Sequence, residues 1–196
     1  MKKNHFQYRV LLMALLPVIL FSCSKSKHTA NSGTYYFKAN IGGKSYNVSA
    51  TNDGKIIAGS GVAGTDDVAI FGTIDNTTDG SEFAISKGIM HNFLSAVQTD
   101  MKNFFSAGTY NFSVDAQNGV EISWTDATGK NWSTSNGSGD ETGSTFKIVS
   151  VVDDPDVLGK YYVKVKSQFN CTLYDDSGNS MPLTAGEMVG DFGPLN

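Results

Sequence analysis

Arginine is all but missing from this chain: Arg9 is the one example, and every other basic residue is lysine. Without guanidinium forks the chain lacks the planar bidentate partner that reads phosphates and base edges. Histidine and cysteine are nearly as scarce, at three and two. His28 falls in a polar stretch, and His91 has no cysteine or second histidine near it. No Gly-x-Ser-x-Gly elbow, His-Glu-x-x-His pair or phosphate loop is present. The sequence therefore names no catalytic residue, metal ligand or cofactor. Two cysteines, Cys23 and Cys171, cannot build a disulfide framework. One long apolar run exists, Val10 to Phe21. At about 12 residues, interrupted by Pro17, it is shorter than the roughly 20 that a spanning helix needs.

What surrounds that run is informative. Lys2, Lys3 and Arg9 form a basic head, and Leu20-Phe21-Ser22-Cys23 follows the apolar stretch. A basic head, a short apolar core and a small residue before a cysteine describe a secretory signal whose product is acylated. The tetrapeptide resembles the lipobox of bacterial lipoproteins. That resemblance makes Cys23 the lipid attachment site and the first residue of the mature chain. An ordinary signal peptide, with Cys23 a plain thiol, is the alternative. Two or more acyl chains give stable anchoring where one does not. The membrane is thus the first expected partner, reached through acyl chains on Cys23.

The expected organisation is a signal peptide over 1–22, a lipidated cysteine and polar tether over 23–32, and one domain over 33–196. About 170 residues are enough for a single core. Loss of the basic head would leave twelve lysines against nineteen acids, a net charge of about −7. An acidic domain without arginine is a poor nucleic-acid binder.

Apolar residues recur with period two in short runs separated by Gly, Asn and Asp. Tyr35, Phe37, Ala39 and Ile41 share one face of a strand, and Gly42-Gly43 turns it into a second strand carrying Tyr46 and Val48. Further strands are expected over 55–59, 68–75, 82–86, 109–114, 120–125, 130–134, 145–152, 161–166, 169–174 and 188–192, with 161–174 readable as one bent strand. Cys171 alternates with polar neighbours beside Phe169 and Leu173, as a small buried hydrophobe would. The pattern predicts an all-β fold, an antiparallel β-sandwich of jelly-roll type or an open barrel. At most one short helix is expected, near 99–106, with Thr99 as its cap and Asp100 in its first turn. Ile89, Phe93, Val97 and Met101 also repeat at spacing four, which leaves open a longer helix from Ile89.

The succession of lipobox, Ile41-Gly42-Gly43-Lys44-Ser45-Tyr46, Phe104-Phe105-Ser106-Ala107-Gly108-Thr109-Tyr110, Thr145-Phe146-Lys147-Ile148, Phe169-Asn170-Cys171-Thr172-Leu173 and Gly190-Asp191-Phe192 resembles the small all-β lipoproteins abundant in Bacteroidota. The resemblance implies a Gram-negative envelope and the outer membrane, and it brings no catalytic or binding residue with it. Surface-exported members carry acids soon after the lipidated cysteine. Ser24-Lys25-Ser26-Lys27 has none, which points to the periplasmic face.

Trp124 and Trp132 are the leading site candidates. Pairing about Thr128 places them opposite each other on one face, with Gly129 supplying a positive φ in the loop. Two adjacent indoles could form a platform for sugar rings, with Asp126 and Asn131 as hydrogen-bonding groups. The same pair could instead anchor the core, and Ile122 on the same face favours that. Three acidic stretches, Asp75–Gly80, Asp153–Asp156 and Asp175–Asn179, read as hairpin turns, with weak calcium sites as the alternative. The function expected is a non-catalytic, lipid-anchored binding module for a glycan or an envelope partner. A structural protein-interaction lipoprotein is the alternative, and a hydrolase with a carboxylate pair the third reading.

Overall fold

The computed structural model describes residues 35–50, 54–62, 66–113, 119–136, 140–153 and 162–193, with 54–62 described by backbone alone. Cys23 and the tether lie outside the described residues.

Local alternation sets the strands. In β1 (Tyr36–Ile41), Phe37, Ala39 and Ile41 are buried while Lys38 and Asn40 are exposed. Gly42 and Gly43, both at positive φ, form the expected turn into β2 (Lys44–Ser49). A meander follows: β3 (Gly54–Val62), β4 (Val68–Asn76) and β5 (Glu82–Met90). After the helical segment come β6 (Gly108–Tyr110), β7 (Glu121–Thr125), β8 (Asn131–Ser133), β9 (Thr145–Asp153), β10 (Val163–Tyr174) and β11 (Ser180–Phe192). β10 is one strand whose register slips between Phe169 and Cys171, the bend anticipated within 161–174.

The longer helix from Ile89 does not form. Ile89 and Met90 complete β5, a single 3₁₀ turn spans Phe93–Ser95, and α1 covers Gln98–Phe104. Thr99 is not the cap, since it lies inside the first turn. Asp100 Oδ2 instead accepts the Val97 N–H at 2.9 Å. That contact meets one of the amides that a helix start leaves without a partner. Met101 is buried beneath the helix. None of the helices among the described residues is long and apolar enough to cross a membrane.

The protein is all-β. Its strands form one antiparallel sheet in the order β2-β1-β11-β10-β8-β7-β5-β4-β3, with β9 pairing β10 and β6. The sheet curls into a half-barrel, so of the two expected architectures the open barrel is the nearer. Gly72 on β4 marks where the curled walls meet. A Cβ there would stand 2.7 Å from the Asp191 carbonyl oxygen and 3.0 Å from the Phe192 ring.

The interior is spanned by stacked rings. Phe37 lies on Phe83 at 3.8 Å, Phe83 on Phe169 at 5.5 Å, and Phe169 on Phe146 at 5.9 Å. These four rings come from β1, β5, β10 and β9. Each buried phenyl contributes up to about 3 kcal/mol of transfer free energy, with a further increment for the stacked geometry.

Candidate functional site: a lysine held between two rings

The tryptophan hairpin forms in the expected register. Trp124 pairs with Trp132, Thr125 pairs with Asn131, and Gly129 has φ 84°. The two indoles do not make a platform. Trp124 is 2 % exposed and packs on Phe37 and on the edge of Tyr46, so it is the core anchor of the alternative reading. Trp132 is half-buried, with the Lys130 ammonium 4.2 Å from its ring centroid. Its Nε1–H donates to Asp126 Oδ2 at 3.3 Å.

Asp126 is committed to its own turn. Its Oδ1 accepts from the Thr128 and Lys130 amides and the Thr128 hydroxyl. Partial burial works to raise the Asp126 pKa, but these hydrogen bonds outweigh it and hold the carboxyl below the usual range. Asn131 Oδ1 accepts the Thr125 hydroxyl proton at 2.7 Å.

Asp175 repeats the device. Its Oδ1 accepts from the Ser177 and Asn179 amides, and its Oδ2 accepts from the Asn179 side chain and from Lys130. The oxygens that calcium would need at this turn are thus engaged by the turn itself and by a lysine. In the 75–80 stretch, Asn76 Oδ1 accepts the Thr78 amide and Asp79 Oδ1 accepts from Ser81. Asp154 to Asp156 lie outside the described residues. Among the described residues no cluster of three metal-ligating side chains occurs.

Cys171 is buried, as its alternation implied, and burial pushes its thiol well above the usual range, with the Glu141 charge adding to the shift. Asp75 and Glu82 are cross-strand neighbours. Burial raises the Glu82 pKa, and the facing Asp75 carboxyl raises it further.

A concave site lies elsewhere, around Lys87. The β4–β5 register runs Phe71 to Ser86 and then Ile70 to Gly88, which leaves Lys87 as the extra residue of a β-bulge. Inward positions change phase there: Phe83 and Ile85 are buried before it, Gly88 and Met90 after it. A bulge bends the strand and re-aims the side chain it carries. The β5–β7 pairing ends at Ser86, one residue short of Lys87.

Two rings receive the lysine. Its ammonium stands 4.6 Å from the Phe104 centroid, at the end of α1, and 4.1 Å from that of Tyr110, on β6. Each ring is fixed in turn. The Tyr110 hydroxyl donates to the Ser106 carbonyl at 2.6 Å. Phe104 meets Phe105 edge-on, and the buried Phe105 packs on Phe192. Ile89, Thr109, Asn111 and Gly119 complete the lining of a cleft of about 390 Å³. That volume lies within the range of small-molecule sites.

Burial lowers the Lys87 pKa. Among the described residues no carboxylate pairs with it. Asp75 and Glu82 are not part of this lining. Five residues of strand, about 16 Å, separate Glu82 from Lys87.

As a group, Lys87, Phe104 and Tyr110 are not apparent from the sequence. A signal for Lys87 was nevertheless present. It follows Phe83-Ala84-Ile85-Ser86 at what alternation makes an inward position, and glycine comes next. A lysine out of phase before a glycine is a bulge signature. No protein-family model matches the chain, and neither a curated protein nor a solved structure does.

Proposed function

We propose that this protein is a lipid-anchored binding module of the bacterial envelope, held by acyl chains on Cys23, that receives a small glycan unit in the Lys87 cleft without acting on it. The observation that carries the binding reading is the cleft itself. A strand bulge, a helix end and a short strand bring one partly desolvated cation, two fixed rings and the polar residues Thr109 and Asn111 around one concavity. Aromatic faces beside hydrogen-bonding groups suit a sugar, which has both apolar and hydroxylated surfaces. Anchoring would raise the local concentration of the module along the envelope. The signal-like segment and the resemblance to Bacteroidota lipoproteins support the outer membrane and its periplasmic face.

A protein partner is the second reading. β2 ends the strand order, and a sheet edge of this kind can accept a further strand.

One experiment addresses both halves of the first reading. The full chain and Cys23→Ser are expressed in a Gram-negative host and fractionated. The wild type is expected with the membranes and the variant in the soluble fraction. The purified chains are then titrated with neutral and acidic oligosaccharides while the amide signals of Thr109, Tyr110 and Asn111 are followed. Shifts at those amides are expected. A library that moves none of them removes the glycan reading and leaves the sheet edge.

A further inference from the structure

Lys87 sits where a lysine is costly. Its charge is partly withdrawn from water, and the compensation found among the described residues is the faces of Phe104 and Tyr110. Cation–π contacts offset part of such a cost. Among the described residues they leave the ammonium's hydrogen-bond donors without the anionic acceptor that a cation drawn out of water ordinarily has. The rings also restrict the side chain, so the ammonium is held ready within the cleft wall rather than sweeping through solvent as a surface lysine does. Thr109 and Asn111 add neutral polar residues to the same lining, and among the described residues no acidic side chain joins it.

From this arrangement we infer that the cleft takes an acidic sugar such as a uronic acid, one carboxylate of which ion-pairs with the Lys87 ammonium. The inference rests on the binding reading above and assigns its ligand class. One lysine balances one negative charge. A phosphate monoester carries nearly two, and its usual guanidinium clamp is absent from a domain without arginine. The bulge belongs to the same logic: regular pairing would have put position 87 against the core, where a ligand could not reach it.

The test uses the full chain in detergent at constant ionic strength. It uses four probes: an α-1,4-linked galacturonic acid trimer, the matching neutral galactose trimer, sodium acetate and inorganic phosphate. Dissociation constants are read from the amide shifts of Thr109, Tyr110 and Asn111. The acidic trimer is expected to bind at least about tenfold more tightly than the neutral one, the usual effect of a charge-assisted hydrogen bond. Lys87→Met is expected to erase that difference, and Lys87→Arg to retain part of it.

Equal binding of the two trimers overturns the inference and leaves the glycan reading standing. Lys87-dependent binding of acetate, with neither trimer bound, keeps the carboxylate site and removes the glycan. Phosphate bound more tightly than acetate overturns the assignment to a monoanion. No shift with any probe removes both. The wild-type comparison of the two trimers decides the matter even where Lys87→Met does not fold.

Discussion

Lys130 and Asp175 join two hairpin turns that are 45 residues apart in sequence, with Nζ 2.6 Å from Oδ2. Asp175 ends β10 and opens the turn to β11, and Lys130 closes the turn between β7 and β8. The same ammonium covers Trp132. One side chain therefore fixes two loop tips and shields one indole. Asp175 is almost wholly buried, so the lysine compensates a carboxylate that has little water around it.

Lys130→Met tests this. The variant keeps much of the apolar stem over Trp132 but removes the charge. Asp175 then retains its amide donors and loses its counter-ion. The thermal midpoint is expected to fall by a few degrees. Trp132 emission is expected to shift to the red and to quench more readily, while that of Trp124, 2 % exposed, stays unchanged. Trp124→Phe in the same background isolates the Trp132 signal.

Glu187 contributes stability that is lost in acid. On the outer face of β11 its Oε1 accepts from the Tyr36 hydroxyl at 2.6 Å and from Lys38 at 2.9 Å. Its Oε2 accepts from Gln168 at 2.9 Å and Lys166 at 3.2 Å. The Tyr36 hydrogen bond, followed by those from Gln168 and Lys38, holds its pKa at about 2 against an ordinary 4.5. A carboxyl depressed in the folded state contributes stability that is fully present above its unfolded value. That contribution is lost as the pH falls from 4.5 toward 2. Glu187→Gln is expected to cost about 2 kcal/mol at neutral pH. The difference from wild type should shrink to little near pH 2, as urea unfolding at stepped pH would show. A difference independent of pH would mean that shape, not charge, is what Glu187 supplies.

Gly72 reports on the curl of the sheet. Its missing side chain lets β4 approach β11, and a Cβ would stand 2.7 Å from a backbone oxygen that has little freedom to withdraw. Gly72→Ala is expected to cost about 1–3 kcal/mol in urea unfolding, the range for overpacking a filled site.

Much of the fold could be read from the chain because the signals are local. Phe37, Ala39 and Ile41 alternate with polar residues, and a pleated strand turns that alternation into one buried face. Asp126 to Lys130 carries its own instructions, since an aspartate that bonds the amides two and four residues on, with glycine at the positive φ, makes the turn without outside help. The register of Trp124 and Trp132 followed from that turn. The hairpin did not say which indole would be buried. Phe37 and Tyr46 decided that for Trp124, arriving from strands 78 or more residues earlier in the chain.

The sequence by itself therefore determined the class of fold and the turns. Each depends on the spacing of residue types over a few positions. Only the tertiary structure decided where the concave site lies. Lys87 is re-aimed by a slip in strand pairing, and Phe104 and Tyr110 reach it from a helix end and a short strand whose positions depend on what they pack against. Such convergence leaves almost no local pattern, because the contacts that create it run between elements rather than along them.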